Sequence, residues 1–117
     1  MTELDSEDIK LVVLARGALG RTGGASGAAV RDTDGRTYAA GEVGLRALRL
    51  TALQAAVAAA ISSGAEGFEA AVVVGGRLSD HGVTAVREVS PLARIVFTDK
   101  EGAVFEIVDD GAEVSRG

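Results

Sequence analysis

Apolar and polar positions alternate along this chain in three different rhythms, and each predicts a different element. Ile9, Val12, Val13, Arg16 and Leu19 follow one another at spacings of three and four, which lays one mostly apolar stripe along a first helix. Ser6 is placed to cap that helix, and Glu7 and Asp8 put anions in its first turn, where the macrodipole favours them. Gly20 then ends it. Residues 27–31 and 36–42 read as strands on either side of Asp32-Thr33-Asp34-Gly35. Asp-Gly between two such runs is a hairpin signal.

Residues 48–63 follow neither pattern. From Leu50 to Ile61 there is no charge, and the face opposite Leu50, Leu53, Val57 and Ile61 is alanine rather than polar. A helix apolar all round is expected to be buried all round, with Gly64 as its C-cap. The continuous run 70–74, ending at Gly75-Gly76, has the pattern of a central strand covered on both faces. Residues 84–89 read as a short helix stopped before Pro91. Residues 94–98 and 103–108 read as strands joined through Asp99-Lys100-Glu101-Gly102. The order predicts an α/β domain: a mixed five-stranded sheet, with two antiparallel hairpins and helices on its faces.

Composition narrows the chemistry. The 117 residues make one domain and include 21 alanines and 15 valines but no cysteine. That removes disulfides, thiol nucleophiles and every cysteine-based metal centre. His81 is the sole histidine, and aromatic residues are 3% of the chain, which leaves no platform for stacking bases. The net charge of −5 argues against nucleic acid as a partner. Acids crowd both ends, and 1–5 and 109–117 are expected to be flexible. No run approaches the ~20 apolar residues of a membrane span. The acidic start is the reverse of a signal peptide's basic one, so a cytoplasmic protein is expected.

Gly27-Ala28-Ala29-Val30, Asp34-Gly35-Arg36, Leu50-Thr51 and Arg87-Glu88-Val89, at their present spacings within that element order, resemble the small cytidine deaminases over roughly 9–107. The resemblance implies a three-layer α/β/α fold. In the family, a Cys-Ala-Glu triplet opens the central helix and Pro-Cys-x-x-Cys-Arg-Gln opens the next. The three ligands among these residues hold zinc, and the Glu moves protons as zinc-bound hydroxide attacks cytosine C4. Carried over without gaps from Gly27, the first ligand falls on Leu53 and the proton-shuttling Glu on Ala55. The later cysteines fall on Val83 and Val86, with Gly82 where the proline stands. The residues that hold the ribose fall on Glu42 and Gly44, and the Phe that packs on the base falls on Gly24. Aliphatic side chains donate nothing to zinc. The expectation is therefore a non-catalytic relative with no metal and no cofactor.

The family's active members assemble as dimers or tetramers through their central helices. The resemblance thus implies a homodimer or homotetramer packed through the helix spanning 50–61, with Leu48, Leu53, Ala56 and Ala60 near its centre, and an unidentified protein partner besides. A second reading keeps the vestigial pocket as a small-molecule site, with Glu42 and Arg46 or Arg87 as polar contacts, and a third is a residual cytidine deaminase, which requires metal. Other constellations are weaker. Asp80, His81 and Glu88 read as a cap and surface residues rather than metal ligands. The glycine-rich stretch 20–27 lacks the Gly-Lys-Ser/Thr of a phosphate loop and leads into a strand. Thr51 and Ser79 have no triad around them. Arg46 and Arg49 read as surface or interface charge.

Overall fold

The computed structural model describes residues 4–109. Three helices and seven strands follow in the order α1 (Ser6–Thr22), β1 (Gly27–Asp32), β2 (Thr37–Gly41), β3 (Val43–Gly44), β4 (Arg49–Leu50), α2 (Ala52–Ser62), β5 (Phe68–Val74), α3 (His81–Val89), β6 (Arg94–Thr98) and β7 (Val104–Val108). Five strands form one sheet in the order β2-β1-β5-β6-β7. β5 and β6 are parallel, and the other three pairings are antiparallel. Two apolar clusters lie on its two faces. One takes in Leu11 and Ala15 of α1, and the other takes in α2 together with Val86 of α3. The result is the expected α/β/α sandwich with a mixed five-stranded sheet.

Three local expectations are corrected. Asp5, not Ser6, caps α1 by accepting from the Asp8 N–H at 2.8 Å, and the helix runs past Gly20 to a left-handed Gly23. The face it buries is Asp8, Leu11, Ala15 and Ala18, while Ile9 and Val13 of the expected stripe are exposed. Small residues prevail on that face because β1 comes very close. A Cβ on Gly27 would collide with the Ala15 carbonyl oxygen, so only glycine admits this approach.

The central helix begins at Ala52 rather than near Leu48. Residues 43–50 instead make a separate two-stranded hairpin, β3–β4, whose turn is closed by the Leu45 N–H donating to the Leu48 carbonyl at 2.9 Å. Thr51 starts α2 with a capping box: its hydroxyl accepts from the Gln54 N–H at 3.0 Å while the Gln54 side chain accepts from the Thr51 N–H at 2.9 Å. The helix is not buried all round either. Ala52, Leu53, Ala56, Val57 and Ala60 face the core, but Ala58, Ala59 and Ile61 are exposed. α3 begins at His81, three residues before its expected start.

Under the opposite end of the sheet lies an ion network that spacing along the chain does not reveal. Asp8 accepts from Arg31 at 3.1 Å and from Arg94 at 3.2 Å, with only 2% of its side chain exposed. Arg31 also donates to Glu69 at 2.8 Å, and Arg94 to Asp109 at 3.0 Å. Burial by itself would lower the pKa of Arg31, but its hydrogen bonds to Glu69 and Asp8 outweigh that and raise it. The guanidinium, always charged in a protein, pins α1 to the sheet through Asp8.

Candidate functional site

β5 runs out at Gly75-Gly76, and the first residues of α2 and α3 gather around that end. Together with Ser26 and Glu42 they line a cleft of about 280 Å³. Its floor is set by the two helix caps. The Thr51 hydroxyl donates to Asp80 Oδ1 at 2.7 Å, and the same oxygen accepts from the Gly82 N–H at 2.6 Å, so one carboxylate oxygen ties α2 to the start of α3. Glu42 Oε1 accepts from the Ala25 N–H at 3.0 Å and holds the loop before β1 over the cleft.

Behind the caps the helices interlock. A Cβ on Gly82 would stand 2.6 Å from Leu53 Cγ and 2.9 Å from the Gln54 nitrogen, so α3 approaches this closely only because residue 82 is glycine. Leu53 and Val86 are completely buried in the core cluster, and Val83 packs against that cluster. The three positions to which the resemblance assigns zinc ligands are thus filled by packed hydrocarbon. Ala55 is half-buried on the same helix.

That donor set does not fit zinc, which takes nitrogen, sulfur or oxygen ligands and holds at least three of them from the protein even in open catalytic sites. The polar groups around the cleft do not substitute. Among the described residues, no group of three or more His, Asp or Glu side chains is placed to hold a metal ion. Asp80 serves as the expected cap, and His81 is exposed at the first position of α3.

Of the other expected contacts, Glu42 borders the cleft and also a neighbouring groove of about 320 Å³ at the foot of the β3–β4 hairpin. Arg46 lies outside the cleft, exposed at the hairpin turn. Arg87 is committed elsewhere: it donates to the Pro91 carbonyl at 2.6 Å and to the Val108 carbonyl at 3.1 Å, beyond the far end of α3. Sequence reading places Ser26 only in the glycine-rich stretch 20–27 that fails as a phosphate loop, and misses both its burial in the cleft and the cap-to-cap link through Thr51. The Thr-x-x-Gln spacing of a capping box is the signal for Thr51.

Comparison with known proteins agrees with this architecture. A family profile described as cytidine deaminase-like matches residues 4–102. The chain belongs to the cytidine deaminase-like family. Among solved structures, cytidine deaminase from Burkholderia pseudomallei superposes with a TM-score of 0.76 at 22% identity, over 96% of this chain and 95% of that one. Cytidine deaminase from Mycobacterium leprae does so with a TM-score of 0.64 at 18% identity, over 80% and 87%. The enzyme from Mycobacterium tuberculosis gives 0.64 at 22%, over 81% and 85%. At these identities the likeness is one of fold. No curated protein matches the chain in sequence.

The expected interface centre needs correction. Leu53, Ala56 and Ala60 have no exposed surface within a single chain, so they are core and cannot meet another copy. Leu48 is exposed, but on the hairpin rather than on the helix. No helix among the described residues is long and apolar enough to cross a membrane.

Proposed function

We propose that this chain is a non-catalytic cytidine deaminase-like protein that works by association, as a homo-oligomer and through contacts with other proteins, in the cytoplasm. One observation carries the reading: Leu53 and Val86 are sealed in the core at positions where the resemblance calls for zinc ligands. Filling such a space with apolar side chains gains about 1.5–3 kcal/mol for each Leu or Val buried. The half-buried Ala55, where the resemblance calls for the proton-shuttling carboxylate, supports the same reading. Elemental analysis of purified protein after zinc incubation tests it, alongside absorbance assays of cytidine and deoxycytidine deamination. No bound zinc and no turnover are expected; one zinc per chain, or measurable ammonia release, overturns it.

The cleft of about 280 Å³ favours a second reading, a binder of nucleoside-like small molecules with Glu42 as a polar contact. Arg46 and Arg87, the other contacts first expected, stand outside it. A ligand that binds only the native state raises the melting temperature. A flat response across nucleosides and nucleotides removes this reading and leaves the first.

A further inference from the structure

The cleft at the end of β5 holds a polar group that the chain itself leaves unsatisfied. Ser26 borders the cleft and is buried, with 4% of its surface exposed. Its hydroxyl stands 3.5 Å from Glu42 Oε2, its one side-chain contact among the described residues. An O–H···O hydrogen bond spans about 2.5–3.0 Å, so this pair leaves a gap rather than a bond. A buried polar group in that state costs free energy, and a ligand that fills the gap recovers it.

The fold keeps that gap in place. Glu42 Oε1 accepts from the Ala25 N–H at 3.0 Å, and a Cβ on Gly24 would stand 2.8 Å from the same oxygen, so glycine at 24 makes the room in which the carboxylate sits. Glu42 is thus anchored by one oxygen and offers the other. Two acceptors 3.5 Å apart suit a single donor group at ordinary distance from both, and an ammonium has three N–H donors to give them.

Charge decides the kind of ligand. The first turns of α2 and α3 meet at the cleft, and helix N-termini favour an anion. That place is already taken by the Asp80 carboxylate, which accepts from Thr51 and Gly82. A second anion would therefore meet Asp80 and Glu42 as like charges, and neither of these is in an ion pair among the described residues. Arg77 and His81 also border the cleft, but both are exposed, and no hydrogen bond fixes their side chains as Ala25 fixes Glu42.

We propose that the cleft binds a small molecule through an alkylammonium group, which donates to Glu42 Oε2 and to the Ser26 hydroxyl together. Glu42 supplies the charge and Ser26 the second acceptor. The volume of about 280 Å³ suits a compact ligand, since drug-sized sites run from roughly 300 to 1,000 Å³. This inference rests on the small-molecule reading of the cleft and names the class of ligand within it.

Nuclear magnetic resonance titration of the isotope-labelled full chain at neutral pH tests it, with butylammonium as the probe and 1-butanol as its neutral counterpart. Butylammonium is expected to shift the amide resonances of Ala25, Ser26, Glu42 and Gly75 with a dissociation constant of about 1–10 mM, in line with a ligand of about five non-hydrogen atoms. It is expected to bind at least about tenfold more tightly than 1-butanol, because its hydrogen bond to Glu42 is charge-assisted. Glu42→Gln and Ser26→Ala are each expected to weaken butylammonium at least about threefold. Equal binding of the two probes overturns the proposal, as does either variant with the parent's affinity. The comparison of probes on the parent chain decides the matter even where a variant does not fold. Cytidine, titrated alongside, separates the two readings. Cytidine at the cleft without butylammonium ends the ammonium seat and leaves the small-molecule reading, whereas no response to either ends both.

Discussion

Thr51 and Asp80, 29 residues apart, cap two different helices and are hydrogen-bonded to each other at 2.7 Å. Each cap satisfies N–H groups that its own helix leaves open, and the bond between them adds a tertiary constraint to two local ones. Thr51→Val keeps the shape but loses both the acceptor for Gln54 and the donor to Asp80. It is expected to cost about 1–2 kcal/mol in urea denaturation. Thr51→Ser keeps the hydroxyl and is expected to stay within about 0.5 kcal/mol of the parent. Equal losses in the two variants would mean that the link contributes nothing.

Leu53→Ala empties a fully buried site against Gly82 and Val86. Large-to-small changes of this kind cost about 2–5 kcal/mol, whereas Leu53→Met, which nearly conserves volume, is expected to cost less than about 1.5 kcal/mol. Chemical denaturation of both variants checks the ranking. A Leu53→Ala protein as stable as the parent would show that the site is not packed as described.

Asp8→Asn removes the charge shared by Arg31 and Arg94, which keep Glu69 and Asp109 as their other partners. Breaking a buried ion pair outright from one side costs about 3–5 kcal/mol, and with those partners retained the loss is expected to fall toward or below the lower end of that range. Arg94→Gln is expected to cost much less, because that side chain is 43% exposed and screened by solvent. The contrast between the two variants is the measurement.

Asp32 contributes to the acid side of the stability profile. Burial alone would raise its pKa, but the Arg36 and Asp34 N–H groups and the Tyr38 hydroxyl donate to it, and the Arg36 charge adds to them. Together they hold it below the ordinary carboxylate value. A lowered folded-state pKa means that its contribution is complete above the unfolded value, about 4. It is lost as pH falls through the folded one, where the unfolded chain binds more protons. Melting temperatures from pH 6 down to pH 2 are expected to fall less steeply in Asp32→Asn than in the parent. Parallel curves would remove Asp32 from this role.

The sheet was legible from sequence because its signals are local. Val72 to Val74 form a continuous apolar run, and the hairpins carry their own turn residues, so β5, β6 and both pairings follow from neighbours along the chain. α1 was legible as a helix but not as a face. Asp8 and the small Ala15 and Ala18 turn inward for partners that lie 23 and 86 residues away or on β1. The start of α2 was misplaced because Leu48 and Leu50 continue its apolar rhythm, while the Thr51 capping box that stops it is polar. The candidate site was legible in a negative sense only. Hydrocarbon at positions 53, 83 and 86 can be read from a letter string, but the cleft that survives beside them depends on where Ser26 and Glu42 come to rest.

The contact of Leu53 with Gly82 also acts as a ratchet. Putting cysteine at position 53 supplies one sulfur, which is no site for zinc, and leaves a hole in the core. A side chain at position 82 runs into Leu53 before any ligand is gained. On the non-catalytic reading proposed above, each of these two single changes toward a metal centre is therefore a loss with nothing gained in return. A domain packed in this way holds its present form by sterics, whatever chemistry its relatives perform.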